Sequence, residues 1–332
     1  MTPWFASVLL FAVAALGFLA LGSVLAAILA LSVRSQLKLW QPRSRHAALL
    51  SIAVMPAACS FWLLLCASAP AFIALLVPEL DHCALHADDH AHLCFKHLPQ
   101  GAVHGQVLLA LIGVASYVFV RAAIAARSGM RALRVLRALS RTAQQRSDVA
   151  ASIVDAAQPM CFTAGFLRPR VFVSRGLLET LNAAELGIVL LHEQAHVRRA
   201  DALCSALARA CAGLHLPRVR HWLLRELQLS AEQACDEEAA LAVHDRLAVA
   251  SAILRVERIA QGAPATHGLG MMAVAFGESA VEQRVCAMLD DPRQNSQLKL
   301  WSALGSAVAI CGLVASGPLH HVTESLVSAL AL

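Results

Sequence analysis

The sequence predicts a mainly α-helical membrane protein, in which four transmembrane helices carry a cytoplasmic α+β domain between the third and the fourth. Two observations support this fold class. Hydrophobic residues make up 58% of the 332 residues and charged residues only 15%, whereas soluble domains average about a quarter charged. The apolar residues also gather in blocks, and about 20 consecutive apolar residues are enough to cross a bilayer. This composition argues against an ordinary soluble globular protein.

Four apolar blocks account for the spans, and they cover residues 4–33, 47–77, 106–120 and 301–319. The first block contains no charge, is too long for a cleaved signal peptide and has no basic segment before it, so we predict a retained anchor. The chain then divides into a three-span region over 1–126, a soluble domain over 127–295, and a fourth helix with a short external tail over 296–332.

Charges on the connections predict the orientation. The connection after the first span is basic, with Arg34, Lys38, Arg43 and Arg45, and the segment after the third span carries six arginines between 121 and 141. The 79–104 connection is acidic instead. Because Lys and Arg favour the cytoplasmic side, we expect the N-terminus and the 79–104 loop outside and the 127–295 domain inside. Binding to anionic lipid explains the net charge of +5, and no motif indicates direct nucleic-acid binding.

The start of the soluble domain has the pattern of a small β-hairpin. Residues 161–163 and 171–174 are β-prone and flank Gly165 and Pro169, which favour a turn. The second run could offer an edge to an extended peptide, although a purely structural hairpin explains it equally well.

Helices are predicted for most of the remaining domain. Asn182 and Glu185 have the spacing of a capping box, and we expect the helix that they begin to reach about Gly213. Further helices are expected after Pro217 and over 246–260. Residues 262–278 are rich in Gly, Ala and Met and have weak periodicity, which predicts a loop or a mobile flap.

The pentapeptide His192-Glu193-Gln194-Ala195-His196 lies in the first of these helices and has the form H-E-x-x-H. Positions i and i+4 share a helical face, so both imidazoles can reach one metal ion. Glu193 then lies beside that ion, where a general base for a peptide hydrolase belongs. An amphipathic helix with surface His and Glu is the plain alternative. The sequence therefore predicts one catalytic Zn²⁺ held by His192 and His196.

A catalytic zinc usually has three protein ligands, and the third is sought downstream. Glu232 and Asp236 have an E-x-x-x-D spacing on one helical face, so Glu232 can bind the metal while Asp236 fixes a ligand histidine from behind. A solvated acidic face is the alternative for this pair. Asp201 either supports the site in the same way or forms a local ion pair with Arg198 or Arg199. Cys235 is expected to point elsewhere.

The mechanism would be general acid–base hydrolysis. Glu193 would take a proton from water as it attacks a peptide carbonyl and return it to the leaving amine. A further donor would stabilise the oxyanion, and four histidines remain open for that role: His215, His221, His244 and His267.

The arrangement resembles the BlaR/MecR-type antirepressor membrane metallopeptidases, a gluzincin-like family. The resemblance rests on three spans before the domain, on Gly165 with Pro169, on His192-Glu193-x-x-His196-x-x-Arg199-x-Asp201, and on Glu232-x-x-Cys235-Asp236. It implies zinc ligands His192, His196 and Glu232 and catalytic Glu193. It also implies a multi-pass protein of the bacterial inner membrane that cleaves a cytoplasmic repressor, such as a winged-helix protein. The β-lactam receptors carry a penicillin-binding sensor domain after the last span. Here residues 320–332 contain no S-x-x-K run with an accompanying K-T-G, so β-lactam sensing is not expected.

The external loop is a separate candidate site. It is dense in donor side chains, which suit zinc or copper: His82, Cys83, His86, His90, His92, Cys94 and His97. A Cys83–Cys94 disulfide or a plain hydrophilic connector are the alternatives.

Two other functions stay open. A quality-control protease of the HtpX type has a similar pair of motifs but broad substrates, and its usual arrangement of two spans on each side of the domain fits less well. A non-catalytic receptor or metal sensor could keep zinc for structure, although the intact Glu193 argues against this. The oligomeric state is also open, with a homodimer as one option.

Overall fold

A computed structural model describes residues 3–77, 104–146, 151–165, 168–262, 278–291 and 298–331. Over these residues the chain forms long helices and one small sheet. The helices before the sheet are α1 (Pro3–Leu37), α2 (Pro42–Leu76) and α3 (Gly105–Thr142); the strands are β1 (Gln144–Arg146), β2 (Ala151–Val154), β3 (Cys161–Ala164) and β4 (Arg170–Ser174); the helices after it are α4 (Arg175–Thr180), α5 (Ala183–Arg199), α6 (Asp201–Ala212), α7 (Pro217–Val243), α8 (Arg246–Gly262), α9 (Glu278–Leu289), α10 (Leu298–Val314) and α11 (Ser316–Ala331).

Three helices of the described chain are long and apolar enough to cross a membrane: Trp4–Leu37, Pro42–Leu76 and Gly105–Arg141. They agree with the first three predicted spans. The third helix continues without a break to Thr142, so the predicted boundary at 126 falls inside α3 rather than between two elements.

The region predicted as a fourth span with a short external tail consists of two helices. Trp301–Val314 and Ser316–Ala329 are two helices bent by 71° at a short break, and together they pass the test for one broken span. The expected tail is the helix α11, which packs on α2: Nδ1 of His320 lies 2.6 Å from the carbonyl oxygen of Ala67 and donates to it. Hydropathy reports how apolar a segment is, but not whether it changes direction.

Small residues hold α1 against α2. At Gly22 an added Cβ would lie 2.9 Å from the Cα of Pro56, which only glycine avoids. One turn further, Ala26, Ala27 and Ala30 are buried, and close backbone approach of this kind is typical of helix pairs in membranes.

The same core also receives α7 from the domain. Leu223 and Leu227 of α7 are buried with Leu49 and Ile52 of α2 in one hydrophobic cluster. The predicted membrane and soluble regions therefore share a core, to which α7 contributes most of the domain's buried residues and α6 contributes Ala208.

The predicted hairpin is confirmed as the antiparallel pair β3–β4. Gly165 ends β3 with a φ of 114°, a left-handed value that favours glycine. The complete sheet has the order β1-β2-β4-β3, with β2 parallel to β4. The suggestion that residues 171–174 offer an edge is wrong, because β4 pairs on both sides. The edge strand next to α5 is β3.

The helix carrying the pentapeptide begins as predicted and ends earlier. Asn182 and Glu185 form the full capping box. The expected continuation to Gly213 is wrong, because Ala200 adopts a left-handed conformation with a φ of 52° and separates α5 from α6. The helices predicted after Pro217 and over 246–260 are present as α7 and α8.

Candidate metal centre

Helix α5 brings the two histidines of the pentapeptide together. His192 and His196 lie one turn apart on one face, and their Nε2 atoms are 3.2 Å from each other. Both side chains are only slightly exposed, at 13% and 16%. Two imidazole nitrogens that face each other across so short a gap are suited to share one cation.

Helix α7 supplies a carboxylate to the same point. Glu232 Oε2 lies 3.3 Å from Nε2 of His192, and Glu232 Oε1 lies 3.6 Å from Nε2 of His196. Two ligands held at about 2.0–2.1 Å by a tetrahedral ion are about 3.4 Å apart. The three separations therefore fit a single tetrahedral metal ion, and two imidazoles with one carboxylate are a ligand set that catalytic zinc takes.

Each histidine ring is held by a carboxylate at its Nδ1 atom, on the side opposite the nitrogen that would bind a metal. Nδ1 of His192 lies 2.9 Å from Asp236 Oδ1, and Nδ1 of His196 lies 2.8 Å from Asp201 Oδ2. Donation by Nδ1–H keeps each Nε2 available for a metal and orients the ring. Asp201 reaches His196 because the left-handed Ala200 turns the chain directly after α5. Asp201 also accepts from Nε of Arg199 at 3.3 Å, so the two roles proposed for it coexist.

Arg284 of α9 completes the site, and sequence reasoning missed it. Its Nε and Nη2 atoms donate to the two oxygens of Asp236 at 2.8 and 2.7 Å. Its Nη1 lies 3.2 Å from Glu232 Oε2. The guanidinium thus clamps both carboxylates of α7. It follows Asp236 by 48 residues, a separation that no helical or motif spacing marks.

The pKa values of the metal-free site reflect this charge cluster. Burial alone would lower the pKa of His192, but the hydrogen bonds and charges of Asp236 and Glu232 raise it to about 10. Burial alone would raise the pKa of Glu232, but the charges of Arg284 and the histidines lower it to about 2. The pKa of Asp236 is also lowered, because the attraction of Arg284 outweighs burial. Without a metal, the cluster therefore holds an imidazolium at His192 between ionised carboxylates.

Glu193 contacts the edge strand of the sheet. Thr163 Oγ1 lies 2.7 Å from Glu193 Oε2 and 3.0 Å from the carbonyl oxygen of Glu193. Glu193 directly follows His192 in the chain, but it does not belong to the donor group of His192, His196 and Glu232. The contact with Thr163 was not foreseen from the sequence, because it joins residues of two different elements.

Comparison with known proteins identifies the family of this chain. The BlaR1 peptidase M56 family matches residues 14–288, which contain the whole site. The chain belongs to this family. It is a membrane-associated metallopeptidase of the BlaR1 type. Neither a curated protein nor a solved structure matches the chain.

The remaining candidate residues are not among the three metal donors of this M56 peptidase. Cys235 does not point elsewhere as expected: its Sγ lies 3.3 Å from Nδ1 of His196, on the side of the ring that faces away from Glu232. Burial and the charge of Asp201 raise the pKa of this thiol. Cys235, His196 and Asp201 form a second group whose donor atoms lie within 4.8 Å of one another, but in this group Nδ1 of His196 already bonds to Asp201 at 2.8 Å.

The histidines considered as oxyanion donors do not join the site in the described chain. His215 bonds to the carbonyl of Ala53 and His221 to the carbonyl of Pro217. His244 ends α7, twelve residues after Glu232, which is about 18 Å along a helix. His267 and the predicted flap fall almost entirely outside the described residues, as does the external loop with all its His and Cys candidates.

Proposed function

We propose that this M56 peptidase is a zinc endopeptidase of the bacterial cell membrane that cleaves a cytoplasmic protein in response to an external signal. The observation that carries the proposal is the convergence of His192, His196 and Glu232 at separations of 3.2–3.6 Å, with Glu193 next to His192 in the chain. Such a set can hold Zn²⁺ and leave one coordination position for water or substrate.

The residues have separate roles in this proposal. Zinc, when bound by the two histidines and Glu232, supplies a Lewis acid for water and for the peptide carbonyl. Glu193 takes the proton that water loses as the new C–O bond forms. It then gives this proton to the nitrogen as the C–N bond breaks. Asp236 and Asp201 keep the histidines in the required tautomers, and Arg284 balances the charge of the two acids on α7.

The substrate is proposed to be a polypeptide that binds in extended form. Strand β3 pairs with β4 on one side, and no described residue pairs with its other side. An extended peptide can add a strand to such an edge through main-chain hydrogen bonds. Because Thr163 of β3 touches Glu193, a peptide bound there would run past the general base.

The regulatory part rests on the charge pattern and the family resemblance. Basic residues after α1 and along α3 favour a cytoplasmic domain, so a cytoplasmic repressor such as a winged-helix protein is a suitable substrate. The chain would then be a multi-pass inner-membrane protein with its 79–104 loop outside.

A Glu193→Gln variant tests the enzymatic part. Purified protein in detergent is loaded with zinc, its metal content is measured by mass spectrometry, and cleavage of β-casein is followed. The expected result is full zinc content with cleavage reduced by about 10²- to 10⁴-fold, since the general base is lost. Glu179→Gln, an exposed glutamate in α4, is the matched control. Equal cleavage by Glu193→Gln and the wild type would contradict the proposal.

The regulatory part needs a separate experiment. The repressor encoded nearest to this protein is incubated with wild-type and Glu193→Gln protein in vesicles. Cleavage at one defined bond by the wild type alone supports the role of an antirepressor. Indiscriminate cleavage of casein with no cut in the repressor would favour quality control instead.

A further inference from the structure

The contact between Thr163 and Glu193 has no role in metal binding. Thr163 is not one of the metal donors, and in the described chain its hydroxyl bonds to Glu193, reaching Oε2 at 2.7 Å and the carbonyl oxygen at 3.0 Å. Among the described residues, no other hydrogen bond reaches this carboxylate. The orientation of the proposed general base is therefore fixed by a single side chain.

A hydroxyl can donate only one proton, and the shorter contact is to the carboxylate. Donation to Oε2 leaves the other oxygen, Oε1, as the one available to accept a proton from water. The hydrogen bond also removes rotation of the carboxylate about its last torsion, which is otherwise broad. One oxygen is thus held and the other remains free to react.

The register of β3 explains why Thr163 is at this point. Successive side chains of a strand face opposite sides of the sheet. Phe162 stacks on Phe172 with ring centroids 5.5 Å apart, on the side away from α5. Cys161 and Thr163 therefore face α5. A change of register by one residue would replace the hydroxyl with an aromatic ring or a methyl group.

We propose that Thr163 is a positioning residue that aims Glu193, and that it couples this base to the strand edge at which the substrate backbone pairs. The proposal rests on the proposed function. Its chemical step is unchanged: water loses a proton to Glu193, the C–O bond forms, and the proton passes to the leaving amine as the C–N bond breaks. Thr163 exchanges no proton in this sequence and acts only through Glu193.

The test compares Thr163→Val, Thr163→Ser and Glu193→Gln in zinc-loaded full-length protein, with β-casein as the probe. Valine keeps the shape of threonine and removes the hydroxyl, whereas serine keeps the hydroxyl. Thr180→Val is the matched control, because its hydroxyl bonds to the carbonyl of Gly176 within α4. For each protein, four quantities are measured: kcat, KM, the zinc content and the unfolding temperature.

The expected result for Thr163→Val is a kcat about 10- to 100-fold lower, since misplacing a reacting group by about 1 Å costs this much. Its KM, zinc content and unfolding temperature should match those of Thr180→Val. Thr163→Ser should recover most of the kcat.

The contrary outcomes are distinct. A Thr163→Val protein with wild-type kcat, or a loss of kcat that serine does not restore, overturns the role of Thr163 while Glu193→Gln still abolishes cleavage. A loss that accompanies lower zinc content or early unfolding identifies a structural residue, which also overturns it. If wild-type and Glu193→Gln proteins cleave equally, the proposed function itself fails.

Discussion

The two halves of α7 are held in place by different forces. In the first half, Val219, Leu223 and Leu227 are buried in the apolar core that α1 and α2 form. The second half also packs in an apolar cluster, through Ala239 and Ala240, but it differs in its polar contacts: Gln233 and Asp236 are buried, and Glu232 and Asp236 contact charged groups of α5 and α9. Apolar contacts are non-directional, whereas these ionic contacts depend on the position of each atom. The first half therefore holds α7 against α1 and α2, and the second half determines the positions of the metal donor Glu232 and of its neighbour Asp236.

A polar contact joins the halves at the start of α2. Arg45 forms an ion pair with Glu226 and donates to Oε1 of Gln233 at 3.3 Å. Gln233 in turn donates to the carbonyl of Gln283, next to Arg284, at 3.1 Å. We therefore expect changes at the buried polar residues of the second half to alter metal affinity and stability together, and changes at the buried apolar residues of the first half to alter stability alone.

Asp236→Asn should have the largest effect. It leaves the buried Arg284 without its bidentate partner and weakens the support of His192. Removing one member of a buried ion pair costs about 3–5 kcal/mol, and loss of a carboxylate behind a ligand histidine costs about 10- to 100-fold in metal affinity. Chemical denaturation in detergent and zinc titration measure the two quantities. An unchanged Kd for zinc would remove Asp236 from the site.

Leu223→Ala should come next. This side chain is fully buried in the shared core, and such truncations cost about 2–5 kcal/mol. The Kd for zinc, measured below the unfolding temperature, should stay within about twofold. Leu241→Ala on the same helix, where the leucine is 74% exposed, is the control and should change stability by less than about 0.5 kcal/mol. A large loss of zinc affinity would contradict the division of α7.

The protonation of His192 predicts a moderate effect of pH. Its pKa in the metal-free fold is about 10 against 6.5 for the free side chain, so its stabilising contribution is complete below pH 6.5 and is lost as pH rises through 10. Zinc must displace this proton, and its apparent affinity should rise by up to about tenfold per pH unit over that window. Calorimetry in two buffers should detect about one proton released per zinc at pH 7.5. Release of none would contradict a protonated His192.

Glu238→Gln should have the smallest effect. Glu238 lies on the second half of α7 and pairs with Arg198, whose side chain is 53% exposed, at 2.9 Å. Its second partner, Nη1 of Arg199, is more distant at 4.0 Å. Exposed pairs contribute about 0–1 kcal/mol, so stability and zinc affinity should both change little. A loss as large as that of Asp236→Asn would show that charge in this half matters in general, rather than through specific contacts.

Local features of the fold could be predicted from the sequence. The pairing of His192 with His196 follows from the helical period, and the capping box at Asn182 follows from a spacing of three residues. The first three spans follow from composition alone. Membership of the BlaR-type family, which the paired motifs predicted, is confirmed by the match over residues 14–288.

Features that depend on distant contacts could not be predicted. Arg284 and Thr163 meet the site through the tertiary fold, and nothing near them in the chain indicates this. Alanine has no preference for left-handed backbone, so the break at Ala200 leaves no signal either. The break is nevertheless what brings Asp201 to His196.

The unbroken length of α7 gives the molecule a mechanical property. Glu232 lies nine residues beyond Leu223 on one continuous helix, which is about 13 Å. A rigid rod of this length amplifies rotation: a tilt of about 5° at Leu223 would move the carboxylate by about 1 Å. Because the donors are only 3.2–3.6 Å apart, a very small movement of α7 in the core that it shares with α2 would be enough to bring the donors together or to separate them.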